Sequence, residues 1–111
     1  MDNLKNDRYY LEKILTDLSF ILAHTDGITK EEFTENEILI DSVLFRLIQV
    51  SENSDRLTEN FRMRHDNIPW HAMKGMRNRI VHEYGDVDLT IIYDTVNQDL
   101  PKLYAALNIL L

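Results

Sequence analysis

A chain of 111 residues with twelve Lys and Arg against nineteen Asp and Glu, a net charge of −7 and no cysteine has room for one hydrophobic core. It has no means of forming a disulfide or a thiolate metal site. The acidic balance argues against a broad electrostatic grip on nucleic acid, and three glycines and two prolines leave little material for hairpins, so the prior is helical.

Apolar residues at Leu4, Leu11, Ile14, Leu15, Leu18, Ile21 and Leu22 keep the spacing of one helical face and predict a first helix over 4–23. Asp26-Gly27 ends it, and Thr29 followed by Glu32 has the spacing of a capping box that opens the next. A second stripe, Phe33, Ile40, Val43, Leu44, Leu47, Val50, Leu57 and Phe61, is long enough to demand a bend or break. The polar quartet Ser51-Glu52-Asn53-Ser54 is the expected place, read as a solvated patch ahead of a polar notch in an apolar surface. Asp66 or Asn67 is placed to cap a third helix, with Pro69 tolerated in its first turn. That helix should run to about Glu83 and stop near Gly85. A fourth begins after Asp86 or Asp88 with Leu89, Ile92 and Val96. Pro101 should kink it or open a new turn capped by Asp99, after which Leu103, Leu107 and Leu110 continue the stripe.

Four to five helices with short connections predict an all-α, antiparallel up-and-down helical bundle, one domain over 1–111. No segment reaches the roughly 20 apolar residues of a membrane span. The N-terminal stretch Met1 to Arg8 mixes acids with bases and has no apolar core behind it, so it does not read as a signal peptide. The cytoplasm is the expected location.

Charge is unevenly spread: between Arg62 and His82 stand five bases (Arg62, Arg64, Lys74, Arg77, Arg79) and one acid, Asp66, a basic segment on an acidic body. On a helical wheel Trp70, Met73, Ile80, Val81 and Tyr84 all fall within about 60° of Arg77, which puts that guanidinium in an apolar stripe. Burying it is costly unless an acid or a bound anion answers it, and Glu52 or another carboxylate of the second helix is the expected answer. His82 lies about 140° round the wheel, one turn after Asn78, which can hydrogen-bond the imidazole and fix its tautomer.

A permanently charged fork, an imidazole that titrates near neutrality and an orienting amide are what metal-independent RNA cleavage requires. The imidazole takes the 2′-hydroxyl proton or supplies one to the leaving oxygen, and the guanidinium stabilises the crowded phosphate. An Arg and a His five residues apart also recur by chance on helices, and Arg77 can equally be a core-edge arginine that snorkels to water. The residues alone leave both readings open. His65, His71 and His82 lack the spacing of a helical zinc pair and are read as unliganded, so no metal or other cofactor is expected.

The segment Ile68-Pro69-Trp70-His71-Ala72-Met73-Lys74-Gly75-Met76-Arg77-Asn78-Arg79-Ile80-Val81-His82-Glu83-Tyr84 closely resembles the signature of HepT-like proteins in the HEPN superfamily. That signature is R-x-x-x-x-H-x-Y, usually with Asn after the Arg, and Arg77, Asn78, His82 and Tyr84 meet it in full. The likeness continues through Asp88 to Tyr93 and Asp99 to Leu103, and upstream at Tyr10-Leu11, Phe33, Asp41-Ser42-Val43 and Arg46-Leu47. Where the family more often has a Gly-Glu-Ala run, Val50-Ser51-Glu52-Asn53 keeps Glu52 but not the small residues.

The resemblance implies a helical bundle that forms a homodimer, with the Arg and His of both subunits meeting in an interface cleft. It implies an RNA-cleaving toxin that needs no metal, of a HEPN/MNT toxin–antitoxin system. Its partner is an MNT-type nucleotidyltransferase antitoxin, which neutralises it by attaching AMP to the motif tyrosine. Carried over by position, Arg77 and His82 are catalytic, Asn78 and Glu52 supporting, and Tyr84 the AMPylation site. The alternative is a non-catalytic module that docks a nucleotidyltransferase or holds a nucleotide through Arg77. Two Arg77 side chains near one phosphate would repel each other until the anion arrives.

Overall fold

The computed structural model describes residues 6–111, so Leu4 and most of the N-terminal stretch read above lie outside the described residues. Helix α1 (Asp7–Thr25) starts where the Asn6 side chain accepts the N–H of Tyr9, one of the donors that a first turn leaves without a helical partner. Its stripe, Leu11, Ile14, Leu15, Leu18 and Ile21, is buried along its length. Gly27 follows at φ 73°, the left-handed conformation that a side chain would resist. The capping box is formed: Thr29 Oγ1 accepts from the Glu32 N–H at 3.1 Å and Glu32 accepts from the Thr29 N–H at 2.9 Å, opening α2 (Lys30–Thr34).

The second stripe is divided otherwise than expected. It is carried by α2, α3 (Glu37–Arg56) and α4 (Glu59–Arg64), with breaks at 35–36 and 57–58. Asn36 accepts the N–H of Leu39 and Thr58 that of Phe61, and each such cap starts a new helix. Ser51 to Ser54 run unbroken through α3. Ser51, Asn53 and Ser54 are only 2%, 1% and 4% exposed, so these three form a polar notch and not a solvated patch, while Glu52 stays partly open to solvent. Asn53 donates to the Gln49 carbonyl and Ser54 to that of Val50, bonds one turn back that let polar side chains enter a core.

Helix α5 (Trp70–His82) begins at Pro69 with no side-chain cap, so neither Asp66 nor Asn67 plays that part. Its start is tied down by the Trp70 indole, which donates to the carbonyls of Arg62 and His65. It ends at His82, and a 3-10 turn, Tyr84–Asp86, contains Gly85. Asp88 caps α6 (Leu89–Asp94) by accepting the N–H groups of Thr90 and Ile91. A π-helical turn (Thr95–Asp99) then leads into α7 (Leu100–Asn108). Pro101 does stand in the first turn of α7, but Asp99 makes no cap bond. The Leu100 N–H instead reaches back five residues to the Thr95 carbonyl, and the wider turn keeps the helical path going up to a proline that has no N–H to give.

The described residues therefore form an all-α fold of seven α-helices instead of four or five, because capped breaks and a π turn subdivide the expected segments. Asp7 bonds Thr58 and Asp17 pairs with Arg46, so α1 and α3 run antiparallel. α3 packs between α1 and α5, and α1 also packs on α7. The shared core includes Ile14, Leu18, Ile21, Val43, Leu44, Ile92, Val96 and Leu107. Helix α5 sits at the rim: Ile80 is its one fully buried residue, with Trp70, Met73 and Met76 half-buried beside it. Val81 and Tyr84, expected in the apolar stripe, remain 45% and 46% exposed. Among the described residues no helix is long and apolar enough to cross a membrane.

Candidate active site

Because α5 touches the core through Met73, Met76 and Ile80, the residue one step round from that contact, Arg77, lies at the boundary between core and solvent. Glu52 of α3 answers it. Glu52 Oε2 accepts from Arg77 Nε at 3.1 Å and Nη2 at 2.9 Å, and Asn78 Oδ1 accepts from Nη1 at 3.0 Å. The Arg77 and Glu52 side chains keep 34% and 38% of their surface exposed, so the pair is open to a solute. Of the five N–H groups of a guanidinium, these bonds use one on Nε, one on Nη2 and one on Nη1. Each terminal nitrogen retains one N–H with no partner among the described residues, a charged donor that an oxyanion can accept.

In the 3-10 turn after α5, the Tyr84 hydroxyl donates to Asp41 Oδ1 at 3.1 Å. Partial burial of the ring, and then the hydrogen bond to the Asp41 carboxylate and its charge, hold the phenol above its ordinary value of 10.0; each favours the neutral form over the phenolate. Asp41 and Glu52 lie on α3, Arg77 on α5 and Tyr84 in the turn just after it, so both pairs bridge the seam where α5 packs antiparallel against α3. Exposed Ile38 and Phe45 of α3 and Val81 of α5 also belong to this side of the molecule.

His82 does not join that group. It is exposed at the last position of α5 and makes no hydrogen bond or ion pair among the described residues. Asn78, expected to orient His82, turns its carbonyl oxygen to Arg77, where a full positive charge makes the stronger bond. Glu52, Arg77 and Asn78 are thus brought together, while His82 stands on a side of the helix about 140° from Arg77. Asp41 was not picked out from the sequence as a partner of Tyr84. The available cue was register: seven residues along α5 and eleven back along α3 each return to nearly the same helix face.

Among the described residues no group of three His, Asp or Glu side chains is placed to hold a metal ion. The main apolar cleft, about 460 Å³, is bounded by Leu47, Val50, Met73, Met76, Leu100 and Leu103 and contains neither Arg77 nor His82.

The profile of the family described as "Ribonuclease HepT-like" matches residues 14–110, a span that contains Asp41, Glu52, Arg77, Asn78, His82 and Tyr84. The chain belongs to the HepT-like ribonuclease family. A protein of Caldanaerobacter subterraneus subsp. tengcongensis named as a candidate RNase is 33% identical over 100 residues, 90% of this chain and 89% of that one. The "Probable ribonuclease HepT" of Thermococcus cleftensis is 30% identical over 99 residues, 89% of this chain and 90% of its own. A Methanocaldococcus jannaschii protein, also named as a candidate RNase, is 30% identical over 94 residues, covering 85% and 86% of the two chains. No solved structure matches.

Proposed function

We propose that residues 1–111 act as one HEPN domain, a metal-independent endoribonuclease toxin of a HEPN/MNT toxin–antitoxin system. The observation that carries this reading is the state of Arg77, anchored on two sides by Glu52 and Asn78 yet keeping one free N–H on each terminal nitrogen. An arginine kept only for packing has no need of a rigid, open fork. A scissile phosphate seated on it gains two charge-assisted hydrogen bonds that strengthen as charge builds on the non-bridging oxygens.

Cleavage then needs a proton carrier. The 2′-hydroxyl of the RNA attacks phosphorus, its proton passing to a neutral His82 imidazole, while the bond to the 5′ oxygen breaks and that oxygen takes a proton from a second, protonated imidazole. A cyclic phosphate and a free 5′-hydroxyl result. One chain holds a single His82, turned away from its own Arg77. Two copies of the chain facing across a cleft supply both imidazoles and both forks, and the exposed Phe45, Val81 and Tyr84 offer apolar surface for that pairing.

The accessible Tyr84 hydroxyl is the proposed point at which the MNT-type nucleotidyltransferase attaches AMP. Tyr84 bonds Asp41 of α3, the same helix whose Glu52 holds Arg77, so the added phosphate would lie on the Arg77 side of α5 and oppose an RNA phosphate there. The test is subunit mixing. Arg77→Ala and His82→Ala, each inactive alone, should regain part of the RNA-cleaving activity when mixed and re-equilibrated. Mixtures as inactive as their components would refute a cleft shared between copies.

A further inference from the structure

The position of His82 is set by its backbone alone. The imidazole is exposed and makes no hydrogen bond or ion pair among the described residues, so it lies wherever the last turn of α5 lies. Helix α5 is seated on the core at Ile80, its one fully buried residue. Beyond that point Val81 to Asp86 are all exposed, and the chain packs on the core again only at Val87. The Glu83 and Asp86 N–H groups bond the carbonyls of Arg79 and Glu83, which ties the stretch to itself and to α5. One side-chain hydrogen bond among the described residues ties it to another part of the molecule: the Tyr84 hydroxyl donating to Asp41 Oδ1 at 3.1 Å.

Asp41 shares α3 with Glu52. The two stand eleven residues apart, about 20° from each other on the wheel and roughly 16 Å along the axis. Two carboxylates of one rigid helix therefore hold two points of the facing segment, Glu52 at the Arg77 guanidinium and Asp41 at the turn after His82. The spacing between fork and imidazole is referred to α3. The second of these ties is releasable. Tyr84 is 46% exposed, and an ionised carboxylate only accepts, so the bond lasts while the Tyr84 oxygen carries its proton. Any group placed on that oxygen removes the donor, and an anionic group sets like charge against Asp41.

We propose that Asp41 is a positioning residue for the ribonuclease: through Tyr84 it latches the His82-bearing end of α5 onto α3, and a substituent on the Tyr84 oxygen opens the latch and lets His82 leave the place at which it meets RNA. This rests on the ribonuclease reading above. It adds how the proton carrier is held, and how modification of Tyr84 acts without covering Arg77.

The experiment compares wild type with Asp41→Ala, Asp41→Asn, Tyr84→Phe, the double variant Asp41→Ala with Tyr84→Phe, and protein carrying O-methyltyrosine at position 84. It measures kcat and KM on a fluorogenic RNA in EDTA, solution mass, and amide hydrogen exchange over residues 81–86. Asp41→Ala and Tyr84→Phe should each lower kcat about tenfold, a modest case of the loss that follows when a reacting group is misplaced, with KM and mass unchanged and exchange over 81–86 faster. The double variant should be no slower than the slower single, because both changes remove one bond. Asp41→Asn, whose amide oxygen still accepts from the phenol, should recover most of the rate, and uncharged O-methyltyrosine should lose as much as Tyr84→Phe. Single variants that cut at the wild-type rate, or losses that multiply in the double, overturn the latch and leave the ribonuclease reading standing. Loss of kcat with exchange unaltered also overturns it, giving Tyr84 a direct part in the reaction. Loss that follows a fall in mass overturns it by assigning the pair to contact between copies. Wild-type protein that does not cut RNA overturns the ribonuclease reading and this inference with it.

Discussion

Glu52→Gln separates the structural part of the Arg77 anchor from its proposed catalytic part. The substitution keeps side-chain size and one acceptor oxygen but removes the charge that receives two Arg77 N–H groups at 3.1 and 2.9 Å. Both side chains are about a third exposed, so water already screens the attraction, and the stability lost is about 1 kcal/mol, near the upper end for exposed pairs. For a domain of this size that lowers the thermal midpoint by about 4 °C. The effect on activity should be larger in proportion. Removing a donor to a developing oxyanion costs on the order of 100-fold or more, and loosening one without removing it should lower kcat about tenfold. KM for RNA should stay level or fall, because a carboxylate beside the proposed phosphate site no longer repels the substrate. Circular dichroism melting and initial-rate kinetics on a fluorogenic RNA read both quantities. A midpoint lowered as expected with kcat unchanged would refute the idea that Glu52 serves the reaction by holding Arg77, as would a rise in KM that matched the whole loss.

The alkaline titration of Tyr84 follows from its surroundings. Its folded value lies above 10.0, so the protonated phenol favours the fold, a contribution present below the unfolded value and lost as pH rises through the folded one. The phenolate absorbance missing in Tyr84→Phe should therefore appear above pH 10 in wild type; Asp41→Asn should lower that midpoint only in part, since burial is the larger cause, and an unchanged midpoint would remove Asp41 from the account. The neighbours Ile80 and Val81 should behave oppositely in chemical denaturation: Ile80→Ala, from a fully buried site, should cost about 2–5 kcal/mol. Val81→Ala, at 45% exposed, should stay within about 0.5 kcal/mol while weakening self-association at low concentration, and equal costs would mean that α5 is seated differently.

The legible parts of the fold were those set by local chemistry. The α1 stripe, the Thr29 and Glu32 capping box, Pro69 at the head of α5 and the Asp88 cap each depend on residues within a turn of one another. The breaks at Asn36 and Thr58 were hidden because Phe33, Ile40, Leu57 and Phe61 serve one continuous core. A stripe stays in phase when successive helices face the same way, and only the caps mark the joints. Ser51 to Ser54 misled in the opposite sense, since bonds from Asn53 and Ser54 to their own helix bury groups whose composition reads as solvated. The π turn before Pro101 has no periodicity of its own to reveal it.

At the site, the need of Arg77 for a carboxylate was readable from its place on the wheel, and Glu52 supplies it. The side to which Asn78 turns was not readable, because Arg77 and His82 both lie within its reach and only the three-dimensional arrangement of the guanidinium decides between them. Asp41 stands 43 residues from Tyr84, and only the packing of α3 against α5 brings them together.

The most direct test of the central claim is cleavage of total RNA in EDTA by wild-type protein and by His82→Ala, matched for helicity and solution mass. His82 makes no contact that holds the described fold together, so its removal should abolish cutting and leave the melting curve in place. Cutting by both proteins at the same rate would contradict the account and take His82 out of the chemistry.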